Sequence, residues 1–254
     1  MVTITGSVVV SRHINKVWHK AIAHYEALVA TMERLNPAAS FKPYSGYEVF
    51  QPNHAASTDQ VVQFEIGPVI VNLPVRGQAD GNDLYVVFQG RIGFEVDAVL
   101  ADDRLKTVSF ASRIGYFAQI KDTLEHVMGF HCDLDVERIA HPAFHAQLVS
   151  FGDDFLPLVQ QYVPAPLEHD RMKGALHGVR IPTAQLDFFA IIVQLAADHL
   201  LWKESDERER KGFDDLVRLD KQIKGITPQI LSLKESASLP CHRGPHWYAT
   251  APPT

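Results

Sequence analysis

The strongest constraint on the fold is a long alternation of apolar and polar residues between positions 84 and 120. Its apolar side chains share the even positions and are Leu84, Val86, Phe88, Ile92, Phe94, Val96, Ala98, Leu100, Val108, Phe110, Ile114 and Tyr116. Arg91, Glu95 and Asp97 fall on the odd positions. A period of two residues is typical of β-strands that bury one face. The stretch therefore predicts strands of a sheet with an apolar side and a polar side.

Residues 102–104 form a short polar break in this pattern, which predicts a hairpin. In the expected register Val96 lies opposite Phe110, and Gly90 lies opposite Tyr116. The tyrosine ring then covers the bare glycine, an arrangement found in antiparallel sheets.

Helical patterns stand on both sides of the strand region. Residues 11–36 repeat apolar side chains at spacings of three and four, the pattern of an amphipathic helix. Residues 184–203 are apolar nearly all round, with Thr183 as the predicted N-cap, and residues 213–224 predict a further amphipathic helix. Strands followed by helices, without β-α-β alternation, predict an α+β fold. We expect a mostly antiparallel sheet flanked by an N-terminal helix and packed by C-terminal helices.

The domain organisation follows from the same patterns. No internal repeat or low-complexity linker interrupts the sequence, so residues 1–254 are predicted to form one α+β domain. Its parts are an N-terminal helix (1–40), the antiparallel sheet (41–151), a helical part (152–235) and an irregular tail (236–254).

Composition excludes several classes of protein. The net charge of -6 argues against general attraction to nucleic acid or anionic lipid. Two cysteines are too few for a secreted disulfide scaffold, which favours a reduced compartment. The longest apolar run, residues 186–202, is interrupted by polar side chains and predicts a buried helix rather than a membrane span. We therefore expect a soluble cytoplasmic protein without membrane association.

The clearest candidate for chemistry is the stretch of residues 130–151. Seven polar side chains occupy its odd positions: His131, Asp133, Asp135, Glu137, His141, His145 and Gln147. A hairpin that turns at residues 138–140 sets Asp133 opposite His145 and His131 opposite Gln147. The apolar faces agree with this register, because Leu134 then lies opposite Phe144 and Phe130 opposite Leu148.

Directly paired residues on a sheet face are close enough to share an ion or a hydrogen bond. Two imidazoles and two carboxylates suit zinc, manganese or non-haem iron, so the predicted ligands of a divalent metal are His131, Asp133, Asp135 and His145.

The same residues have three other interpretations. The His–Asp pairing can instead tune a histidine as a general base. A solvated polar face of an edge strand explains the same residues without any ligand, and Pro142 is typical of such an edge. His141 and His145 would also share one face of a helix, with Pro142 in its first turn.

A second candidate site lies on the apolar helix of residues 184–203. Asp187, Gln194 and Asp198 are separated by seven and four residues and form one stripe. Buried carboxylates are costly unless they are paired, so this stripe must face solvent, a basic partner or a cavity. The three residues are predicted to bind a ligand if the stripe lines a cavity between helix and sheet.

Two classes of function remain open from the sequence. The first is a non-catalytic protein that binds a small molecule or a protein partner between the sheet and the C-terminal helices. The second is a metal-dependent hydrolase that uses the His/Asp cluster to activate water. The first is favoured, because no HExxH or other metal signature accompanies the cluster.

Overall fold

A nine-stranded sheet with helices packed on its faces makes up the described part of the chain. The computed structural model describes residues 5–74, 83–134, 144–171, 180–183, 185–201 and 205–226. The helices are α1 (Thr5–Leu35), α2 (Val96–Ala101), α3 (Gly152–Val159), α4 (Phe188–His199) and α5 (Glu207–Asp220). The strands are β1 (Ser40–Pro43), β2 (Phe50–Pro52), β3 (Val61–Pro74), β4 (Asp83–Glu95), β5 (Thr107–Ile120), β6 (Thr123–Leu134), β7 (Phe144–Leu148), β8 (Leu167–Asp170) and β9 (Arg180–Pro182).

The long strands β3 to β6 form the centre of the sheet. The strand order is β1-β3-β4-β5-β6-β7-β9, with β2 added beside β3 and β8 added beside β6. Every described pairing is antiparallel except that of β6 with β8. The predicted α+β fold with a mostly antiparallel sheet is therefore confirmed.

One face of the sheet, the helix-covered face, is buried under α1 and α4. Phe188 and Phe189 of α4 are almost completely buried and pack edge-on or stacked against Phe50 of β2. They also contact Phe88 and Phe94 of β4, with ring centroids 5.4 and 6.2 Å apart respectively. Aromatic contacts of this kind add to the burial of apolar area, so α4 is held firmly on the sheet.

The second face of the sheet is covered only in part. The rings of Phe151, which precedes α3, and of Phe155 within α3 pack over its Gly115 and Gly129. A Cβ on Gly115 would lie 2.6 Å from the Phe155 ring, so glycine is needed for this close approach. Beyond α3 the second face carries polar side chains, and no described helix covers them.

The connection between β4 and β5 differs from the predicted hairpin. Residues Val96–Ala101 form α2 rather than strand, and Gly90 lies opposite Ser112 instead of Tyr116. Val96, Ala98 and Val99 are buried, whereas Leu100 is 45% exposed. The predicted register is wrong because a short apolar run fits the period of a helix as well as that of a strand.

The helix boundaries also differ from the sequence predictions. α4 begins at Phe188 rather than at residue 184, because Asp187 is its N-cap. α5 begins at Glu207, where Asp206 and Glu209 form a capping box, so the charged stretch that precedes Phe213 is helix. No helix in the described ranges is long and apolar enough to cross a membrane.

Candidate functional site

The hairpin of β6 and β7 has the register that the sequence predicts. Asp133 lies opposite His145 and His131 opposite Gln147, while Leu134 lies opposite Phe144 on the other face. This part of the prediction is confirmed. The predicted turn and three of the predicted polar residues, Asp135, Glu137 and His141, lie outside the described residues.

The carboxylate of Asp133 lies between two imidazole rings. Its Oδ1 is 3.1 Å from Nε2 of His145, and its Oδ2 is 3.5 Å from Nε2 of His131. His145 is buried, whereas the side chain of His131 is 36% exposed. Oδ1 of Asp133 has no hydrogen-bond partner of suitable geometry among the described residues.

The predicted metal ligands are only partly brought together. His131, Asp133 and His145 are neighbours on the sheet, but Asp135 lies outside the described residues. Within the described ranges, no three histidine, cysteine or acidic side chains are placed to hold one ion. The metal site therefore stays a prediction.

The strand register places further polar residues beside His131, Asp133 and His145. One row across β3 to β7 contains Glu65, Arg91, Ala111, Asp133 and His145. The neighbouring row across β4 to β7 contains Gln89, Arg113, His131 and Gln147. We call these two rows the polar half of the second face.

A depression of about 390 Å³ lies in this polar half. The lining residues come from four strands and are Glu65, Ile66, Gln89, Gly90, Arg91, Ala111, Arg113 and His131. A Cβ on Gly90 would come within 2.0 Å of the Ala111 carbonyl oxygen, so the backbones approach closely there. We call this feature the sheet depression; its small residues leave space between the longer side chains around it.

The sheet depression carries more positive than negative charge. The Arg91 side chain is exposed and makes no hydrogen bond or ion pair with any described residue, although Glu65 lies opposite it on β3. The guanidinium of Arg113 lies 3.5 Å from the carboxylate of Asp154 and 5.0 Å from the Phe151 ring centroid, which orients it at the edge of α3. Glu65, the carboxylate in the lining, accepts a hydrogen bond from Asn53. The Arg91 guanidinium is therefore available to an anionic ligand, and that of Arg113 becomes available if the ligand replaces its contact with Asp154.

Asp187 has a structural role at the start of α4. Its Oδ1 accepts hydrogen bonds from the backbone N–H groups of Phe189 and Ala190, each at 3.1 Å. Its Oδ2 accepts from Thr107 at 3.0 Å and from Gln185 at 2.6 Å. These four bonds satisfy a carboxylate that is only 3% exposed.

Gln194 and Asp198 lie apart from Asp187 on the exposed side of α4. The side-chain amide of Gln194 donates to Asp198 Oδ1 at 2.8 Å, one helical turn away. The structure thus brings two of the three predicted ligand-binding residues together at the surface and buries the third. Their ligand-binding role stays a prediction.

Gln89, Arg91 and Arg113 are possible site residues that the sequence patterns did not predict. Their alternation placed the two arginines on the polar side of a sheet, but polar residues are common there. Only the register of β3, β4, β5 and β6 places Arg91 and Arg113 beside His131 around one depression.

Comparison of the chain with protein-family models, with curated proteins and with solved structures returned no match. The arrangement of the described side chains is therefore the basis on which a function can be argued.

We predict that Asp187→Ala lowers the free energy of unfolding by about 2 kcal/mol, because a helix cap and the side-chain hydrogen bonds from Thr107 and Gln185 are lost. Urea denaturation measures the change. Asp198→Ala on the same helix is the control, with an expected change within about 0.5 kcal/mol. Equal effects of the two substitutions would contradict the capping role.

A second prediction concerns Asp220 at the end of α5. Burial, together with the charge of Asp187, raises the pKa of the Asp220 carboxyl from 3.8 to about 6. A raised acid pKa means that the folded state loses stability as pH rises from 3.8 through about 6. Asp220→Asn should therefore raise the free energy of unfolding at pH 8 by about 1 kcal/mol, allowing for screening by solvent.

Denaturation curves between pH 3.5 and 8 measure this gain, which should vanish at the acidic end of the series. Asp214→Asn, at an exposed position of the same helix, is the matched control and should give no such gain. A gain for Asp220→Asn that is the same at every pH would show that its ionisation is not the cause.

Proposed function

We propose that the protein binds a small, multiply charged anion in the sheet depression. The observation that carries the proposal is the unpaired guanidinium of Arg91 in the same lining as Arg113. The whole chain has a net charge of -6, so a local excess of positive charge is unusual for this molecule. Such a local excess concentrates anions at the site and favours their binding.

The size and polarity of the sheet depression favour a compact hydrophilic ligand. Its volume of about 390 Å³ lies at the small end of the usual range for ligand sites, roughly 300–1,000 Å³. Guanidinium groups pair bidentately with carboxylates and phosphates, and the amide of Gln89 adds a neutral hydrogen-bonding group. A di- or tricarboxylate or a phosphate ester fits this chemistry.

The proposed location differs from the space between α4 and the sheet. Phe188, Phe189, Ile191 and Ile192 fill that space with side chains that are at most 2% exposed. The sheet depression lies instead on the opposite face, where Arg113 connects it to the first turn of α3 through Asp154. The proposed site is therefore a different one from the ligand site that the sequence predicts at Asp187, Gln194 and Asp198.

Calorimetric titration of the purified chain with inorganic phosphate, succinate and citrate at low ionic strength tests the proposal. We expect saturable one-to-one binding of at least one of them. Arg91→Gln and Arg113→Gln should each weaken it by about tenfold, since each removes a charge-assisted contact. Increasing salt should weaken binding further.

Arg12→Gln is the matched control, because the Arg12 side chain is exposed on α1, has no described hydrogen-bond or ion-pair partner and lines neither the sheet depression nor any other described cavity. It should leave anion binding unchanged. Circular dichroism checks that Arg113→Gln still folds, since Arg113 also contacts α3. Absence of saturable binding, or equal losses in all three variants, would overturn the proposal.

A metal-dependent hydrolase is the second candidate function. The observation that favours it is the position of Asp133, whose carboxylate oxygens lie 3.1 and 3.5 Å from Nε2 atoms of His145 and His131. Imidazole and carboxylate together suit zinc, manganese or iron, and a bound ion would activate water beside the sheet depression. His131 lines the depression, so water activated there would be next to a bound anion.

Elemental analysis of protein purified without chelator tests this second candidate. We expect stoichiometric zinc, manganese or iron that is lost in Asp133→Ala and in His131→Ala, because each removes a ligand. Gln147→Ala, opposite His131 on the neighbouring strand, is the control and should keep the metal. Metal-free protein whose melting temperature does not change on adding these ions would rule the candidate out.

A further inference from the structure

A second cavity, the helix cleft, lies on the other side of the molecule from the sheet depression. Its volume is about 550 Å³, within the usual range of roughly 300–1,000 Å³ for small-molecule sites. The lining residues come from α1, from the turn after α2 and from the end of α5, and they are Lys20, Ala23, His24, Ala27, Asp102, Asp103, Arg104, Leu105, Leu219, Gln222 and Ile223.

Two ion pairs hold the walls of the helix cleft in place. Lys20 of α1 lies 2.6 Å from Asp103, and Lys224, just beyond α5, lies 2.7 Å from Asp102. Asp103 has a positive φ of 52°, a conformation that is uncommon for residues other than glycine. The turn after α2 is thereby tied to both helices, and both of its carboxylates are already neutralised.

Between these walls the helix cleft has an apolar surface. Ala23 and Ala27 lie one turn apart on α1, and their small side chains leave room beside the helix. Leu105, Leu219 and Ile223 complete the apolar lining from the opposite side. A ligand with an apolar body would be removed from water by this surface.

The helix cleft also has polar groups that are available to a ligand. The side chain of Arg104 makes no hydrogen bond or close ion pair with the described residues, although its charge acts on Asp102, and the side-chain amide of Gln222 makes no hydrogen bond with them. His24 stays uncharged at neutral pH, because burial and the nearby Lys20 lower its pKa to about 4. Around the cleft, Lys20, Lys224 and Arg104 carry three positive charges against the two negative charges of Asp102 and Asp103, which leaves one net positive charge.

We infer that the helix cleft binds an apolar small molecule that carries one carboxylate. Its apolar body lies against Ala23 and Ala27, and its carboxylate pairs with Arg104. Charge complementarity supports this class of ligand, because a neutral molecule would leave Arg104 without a partner. The site is separate from the sheet depression, which is proposed to take compact, multiply charged anions.

Titration of the full chain with 2-naphthoate, followed by tryptophan fluorescence and calorimetry, tests the inference. We expect saturable one-to-one binding that is about tenfold tighter than that of the uncharged analogue 2-naphthalenemethanol. Ala27→Leu, which fills the cleft at a half-buried helix position, should abolish binding of both compounds. Arg104→Gln should reduce the affinity for 2-naphthoate to that for the alcohol.

Arg91→Gln is the reciprocal control and should leave 2-naphthoate binding unchanged, because Arg91 lies in the sheet depression. Circular dichroism and the melting temperature establish whether Ala27→Leu is folded. If Ala27→Leu does not fold, Arg104→Gln still tests the inference, because Arg104 is at an exposed position. The inference is overturned if 2-naphthoate does not saturate, or if Arg104→Gln binds it as tightly as the unchanged chain. Loss of binding in Arg91→Gln would also overturn it, by placing the compound in the sheet depression.

Discussion

The packing of α4 on the sheet is the interaction on which the rest of the arrangement depends. Phe188 and Phe189 meet the aromatic rings of β2 and β4 and remove the helix-covered face from water. The cap at Asp187 fixes where this helix starts, and its bond with Thr107 ties the start to β5. Once this face is filled with side chains, a polar ligand can reach the sheet only from the other side.

Unequal cover on the second face then creates the candidate site. α3 is short and buries only one end of that face, where Gly115 and Gly129 allow close approach of aromatic rings. The remaining strand residues keep their alternation but meet no described helix, so their outward side chains are polar. Arg91 and Arg113 belong to this uncovered part, and the small residues between them form the floor of the sheet depression.

The two proposed sites differ in their chemistry because they are built from different elements. Side chains of an exposed sheet stand in parallel rows, which places several charged groups around one shallow space. The helix cleft is formed where two helices and a turn meet, so apolar helix residues line it and charges remain at its rim. A hydrophilic anion and an apolar carboxylate are therefore expected at different places on the same chain.

Local patterns in the sequence were sufficient to predict the α+β fold and the register of β6 with β7. A single pairing of that hairpin matches polar residues on one face and apolar residues on the other. These patterns were not sufficient to predict the register of β4 with β5, because α2 occupies residues that also fit a strand pattern. They also did not reveal that Asp187 is a buried cap while Gln194 and Asp198 are exposed. A helical stripe alone does not say where a helix begins or what packs against it.

Local alternation in the amino-acid sequence specifies which side of each strand is polar. The common depression of Arg91, Arg113 and His131 depends on tertiary contacts, because the register of β4, β5 and β6 is set by pairing between distant segments. The helix cleft likewise needs α1 and α5 to meet at the turn after α2. Chemistry shared by residues far apart in the sequence is a property of packing, which local periodicity does not encode.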